Sequence, residues 1–165
     1  MLFESRSLHT SKDQEFPVDY EDAFQVDGEK GLAAIADGVS SAIFSRQWAD
    51  LLTCGVIASP PDLYTESAFK GWLATLRQGW IEKIDIHNLP WNQRQKLQQV
   101  GGAFSTLLWI ELSPNPAESP ADQREFRLQC FGIGDCCLFH IRDNEMLRSF
   151  PLTTAAEFDA DPISI

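Results

Sequence analysis

Basic residues are scarce in this 165-residue chain: 13 Lys and Arg stand against 24 Asp and Glu, a net charge of −11. A protein that grips a phosphodiester backbone needs a basic face, so no nucleic-acid partner is expected. Cysteine is also sparse. Cys54, Cys130, Cys136 and Cys137 form no Cys-x-x-Cys pair, which removes the spacing of a zinc or thioredoxin-like site. No apolar run approaches the roughly 20 residues of a membrane span, so no membrane partner is expected. Residues 1–13 lack a basic start followed by an apolar stretch, so no signal peptide is expected and the default compartment is cytoplasmic. Internal repeats and low-complexity tracts are missing as well.

The composition that remains is that of a folded domain. Hydrophobic residues make up 44% and charged residues 22%, which separates the chain from disordered segments. Its length fits a single domain over 1–165.

Residues 23–26 and 31–36 read as short buried strands, the second stopping at Asp37-Gly38. Ser40 or Ser41 is placed to cap a helix over 40–58, whose Phe44, Trp48, Leu51, Leu52 and Val56 recur at helical spacing. Ser59-Pro60-Pro61 ends it. A second helix is predicted over 65–84, with Phe69, Trp72, Leu73, Leu76 and Trp80 on one side. A third over 91–100 is closed by Gly101-Gly102. Strands are then expected at 103–112, 125–132, 137–141 and 146–152. Asp143-Asn144 is a hairpin turn without the usual glycine. This order predicts an α+β layered domain, with the two long helices antiparallel on one face of a sheet.

Three acidic points stand at strand ends: Glu21-Asp22, Asp37-Gly38 and Gly134-Asp135. Hard divalent cations take carboxylate and carbonyl oxygens, and a glycine beside an aspartate lets the backbone come close. Each pair alone is also an ordinary turn former. His9, His87 and His140 need no catalytic role, and His140 reads as structural.

As an ordered set, these boxes resemble the protein phosphatase 2C family of metal-dependent serine/threonine phosphatases. Tyr20-Glu21-Asp22-Ala23-Phe24 is similar to its opening Glu-Asp box, and Ile35-Ala36-Asp37-Gly38-Val39 to its central Asp-Gly box. Residues Gly101 to Thr106 look like its Gly-rich strand entry. Gly132-Ile133-Gly134-Asp135-Cys136 looks like its Gly-Asp strand. Ala36 to Ser40 and Ser149 to Leu152 resemble a bacterial branch.

The resemblance implies a layered β-sheet sandwich with antiparallel helices packed on the sheet. It also implies two Mn²⁺ or Mg²⁺ ions, with Asp135 serving a third, looser site. Asp37 would bridge the two ions, Gly38 would offer its carbonyl, and Glu21 would hold metal-bound water. Asp22 would give structural support. The implied activity is hydrolysis of phosphoserine and phosphothreonine proteins by attack of a metal-bound hydroxide. The alternative it leaves is a non-catalytic phosphatase-like regulatory or binding domain.

The chain departs from the pattern in several places. Pro17 stands where the family has its phosphate-binding arginine, with Lys12 or Arg6 as the nearest substitutes. Ser40 replaces a glycine, and Cys136-Cys137 replaces Ser-Arg. The family's later metal-binding aspartates have no match. Asp159 and Asp161 lie in a loop-like stretch, so the domain is expected to be truncated at its C-terminus and to bind metal weakly.

Overall fold

The computed structural model describes residues 3–8, 20–62, 65–115, 125–159 and 161–165. Strands β1 (Ala23–Asp27) and β2 (Leu32–Ala36) are followed by helices α1 (Ser45–Ala58), α2 (Glu66–Glu82) and α3 (Trp91–Val100). Strands β3 (Leu107–Pro114), β4 (Phe126–Ile133), β5 (Leu138–Arg142) and β6 (Glu145–Phe150) complete the order. The first four strands form one antiparallel sheet in the order β1-β2-β3-β4, and β5 and β6 pair separately. The fold is therefore mixed α+β, as expected. Among the described residues no helix is long and apolar enough to cross a membrane.

One face of the sheet carries the core. Cross-strand neighbours Ala23 and Ala36, then Ala34 and Trp109, are small or flat and buried. Their lack of bulk lets α1 lie close, so that Trp48, Ala49, Leu52 and Val56 pack onto them. Each large aliphatic side chain buried this way contributes about 1.5–3 kcal/mol. Helix α2 lies beside α1 and reaches the sheet through Phe69, whose ring centroid is 5.7 Å from that of Phe131. The two helices run antiparallel, as expected. Gly55 faces Leu76 and Trp72, the Trp72 indole donates to the Ser59 carbonyl at 3.1 Å, and Phe44 and Gln47 share a cavity with Trp80 and Lys83.

Several boundaries differ from the sequence expectation, two of them, the starts of α1 and β3, the most. Helix α1 starts at Ser45, because Ser40 and Ser41 do not cap it. The Ser40 hydroxyl donates to the Glu21 carboxylate instead, and Phe44 takes the N-cap position in a left-handed conformation. Strand β3 starts at Leu107, because residues 103–106 bind the Asp37 loop rather than a neighbouring strand. The Asp143-Asn144 turn forms without glycine. Both residues adopt positive φ, 51° and 64°, which short polar side chains tolerate.

The second face of the sheet is also apolar, and the β5–β6 hairpin covers one end of it. A Cβ on Gly132 would lie 3.2 Å from Phe150 and 3.4 Å from Pro151. Toward β1, Phe24, Val26 and Ile35 line an open groove of about 600 Å³.

Candidate functional site

The ends of β2, β3 and β4 meet at Asp37. Its backbone is held on both sides: its N–H donates to the Thr106 hydroxyl (3.2 Å), and its carbonyl accepts from the Thr106 N–H (2.9 Å) and the Ser105 hydroxyl (2.8 Å). Ser105 continues the arrangement, pairing with Gly38 in an isolated antiparallel bridge. It also exchanges two backbone hydrogen bonds with Ile165, at 2.9 and 3.0 Å.

Gly38 fills a place no other residue fits. A Cβ there would meet the Glu21 carbonyl at 2.8 Å and the Ser45 Cβ at 2.9 Å, and the Gly38 N–H donates to that Glu21 carbonyl at 3.3 Å. The glycine thus brings the Glu-Asp and Asp-Gly boxes into backbone contact. Ser40, on the same loop, holds the Glu21 carboxylate.

Gly134-Asp135 joins from β4. The Thr106 hydroxyl lies 3.0 Å from the Cys136 sulfur, and Gly134, with φ +90°, abuts Thr106. Burial pushes the Cys136 thiol up to about 11; the Thr106 hydrogen bond lowers it, while the charges of Asp37, Asp135 and Asp22 add to the rise. The charges of those three carboxylates therefore all reach one thiol although they come from distant parts of the chain. Tyr20 is raised as well, first by burial and then by Asp22 and Asp37, with Arg46 opposing. The Arg46 guanidinium sits 5.1 Å from the Tyr20 ring centroid and donates to the Tyr20 carbonyl at 2.6 Å.

Asp37, Gly38, Glu21 and Asp135 thus gather at one end of the sheet. Asp135 also lines a cavity of about 250 Å³ with Glu157, Asp159 and Asp161. Glu157 is engaged by the Thr153 and Thr154 backbone N–H groups, which hold its carboxyl below the usual range. Lys12 lies outside the described residues. His140 stands on β5 facing β4 across a groove, among Leu128, Cys130 and Leu138.

The donors suit a hard cation in chemical type, being carboxylates and a carbonyl. They do not form a finished cage: among the described residues, no three His, Cys, Asp or Glu side chains converge on one metal position. Thr106 and Ser105, inside the Gly-rich box, were not assigned a role by sequence reasoning. Their contacts with Asp37 span 68 and 69 positions and leave no local mark in the sequence. Comparison with known protein families, curated proteins and solved structures finds no match.

Proposed function

We propose that this chain carries part of the metal site of a divalent-cation-dependent serine/threonine phosphatase domain of the protein phosphatase 2C type. The observation that carries this reading is the meeting of the Glu-Asp, Asp-Gly and Gly-Asp boxes around Thr106 and Cys136. The layered sandwich of that family fits a sheet with helices on one face and a hairpin started on the other.

In this reading Asp37 and the Gly38 carbonyl would hold Mn²⁺ or Mg²⁺. Glu21, fixed by Ser40, would hold a water beside that site. Asp135 serves a neighbouring, weaker position. Divalent cations bound there would activate a water and offset phosphate charge. Ser105 and Thr106 keep the Asp37 backbone from moving as cations come and go. The substrates would be phosphoserine and phosphothreonine proteins in the cytoplasm.

The test is Asp37→Asn in the full-length protein, assayed for Mn²⁺-dependent hydrolysis of a phosphoserine peptide. The exchange keeps the shape and removes the charge, so turnover should be lost. Unchanged turnover in Asp37→Asn sinks the reading. The unfinished donor set favours a second reading, a non-catalytic phosphatase-like domain. Phosphopeptide binding without any turnover by the unsubstituted protein would establish that one.

A further inference from the structure

Helix α3 is polar, yet it has an inward side. Gln93, Lys96, Leu97 and Val100 are half-buried at helical spacing, while the other α3 residues are exposed. Leu97 packs against the core and so fixes that side inward. Lys96 shares it, and its Nζ reaches the Ser40 carbonyl at 3.4 Å. Ser40 is the residue whose hydroxyl holds Glu21. Lys96 therefore lies one residue contact away from the carboxylate group.

Arg46 and Lys30 have partners. Arg46 pairs with Asp50 at 3.4 Å and caps the Tyr20 carbonyl. Lys30 binds the Ile57 carbonyl and lies 3.7 Å from Asp27. Lys96 makes no ion pair among the described residues. The contact of its Nζ with Ser40 is solvent-exposed, so the ammonium can meet an anion arriving from solution. A phosphate dianion approaching a carboxylate-held cation also needs positive charge on its other side.

We infer that Lys96 is the phosphate-binding cation of this site, recruited from α3 to contact a phosphomonoester oxygen. This rests on the phosphatase reading. Lysine would act as a point charge with three rotatable donors, and so accept varied phosphate orientations.

Binding of inorganic phosphate to the full-length protein, measured by calorimetry with Mn²⁺ present, tests the idea. Lys96→Ala should weaken binding on the order of tenfold, the loss of one charged hydrogen bond. Lys96→Arg should stay within about threefold, since charge is kept. Lys70→Ala, which breaks an exposed pair with Glu66, should change nothing. Lys96→Met keeps the apolar stem and replaces Lys96→Ala if the latter melts early. With a phosphoserine peptide, the loss should fall on KM and leave kcat nearly unchanged. Equal phosphate affinity in Lys96→Met and the unsubstituted protein overturns the inference, as does a complete lack of phosphate binding. Lys96-dependent phosphate binding without turnover by the unsubstituted protein keeps the anion site and removes the phosphatase reading.

Discussion

Thr106 holds Asp37 twice, accepting from its N–H at 3.2 Å and donating its own N–H to the Asp37 carbonyl at 2.9 Å. Thr106 is buried, so the first of these bonds has no water to replace it. Thr106→Val keeps the shape and removes the acceptor. It should cost about 1–3 kcal/mol of unfolding free energy in urea, the penalty for an orphaned buried donor. Thr106→Ser should recover most of that loss. A Thr106→Val protein as stable as its parent would show that Asp37 is not fixed this way.

Gly134 and Gly101 both have positive φ, at +90° and +83°, but in different surroundings. A Cβ on Gly134 would meet the Thr106 Cγ2 at 2.5 Å and the Ile163 carbonyl at 2.8 Å, whereas one on Gly101 would meet nothing. Gly101→Ala should cost only the left-handed penalty, roughly 1–2 kcal/mol. Gly134→Ala adds overpacking of about 1–3 kcal/mol and should displace Thr106. Urea midpoints of the two variants, compared side by side, check the difference.

Elements with strong periodicity were legible in the sequence. Residues 91–100 form a helix at the expected bounds because Pro90 opens it and Gly101, at positive φ, closes it. The first helix was placed five residues early. Ser40 looked like a cap, but its hydroxyl had a tertiary partner in Glu21, nineteen positions away. Gly38 and Asp37 were legible because turn chemistry and ligand chemistry coincide there. Lys96 was not, since a lysine on a polar helix carries no local mark of the surface it faces. Its inward placement depends on Leu97 meeting the core.

Two buried tryptophans make a matched pair. Trp48 donates its indole N–H to the Ile165 carbonyl at 2.8 Å, while the buried Trp80 N–H has no partner among the described residues. Tryptophan to phenylalanine removes similar volume at each site. At Trp48 it also breaks a hydrogen bond, so Trp48→Phe should cost about 1 kcal/mol more than Trp80→Phe. At Trp80 it relieves an unsatisfied donor, which offsets part of the lost packing. Thermal or urea unfolding of both variants reads the order directly; a larger loss at Trp80 would contradict it.

The last prediction concerns alkaline pH. Burial, and then the carboxylates of Asp37, Asp135 and Asp22, raise the Cys136 thiol from 9.0 to about 11 in the folded protein, against the lowering by Thr106. The unfolded chain has neither the burial nor the gathered charges. Its thiol therefore loses a proton first, and above the unfolded pKa ionisation pulls the equilibrium toward the unfolded state. The stabilising contribution is complete below about pH 9 and is lost as pH rises through the folded value near 11. Urea midpoints should fall across that window, and Cys136→Ala should flatten the part of the slope that belongs to this thiol. Alkylation gives a second readout. Thiolate is the reacting form, so exposed Cys54 should be labelled by iodoacetamide at about pH 8 while Cys136 is spared. Labelling of Cys136 as fast as Cys54 would mean that the thiol is neither buried nor facing the carboxylates, and the gathered site would fail with it.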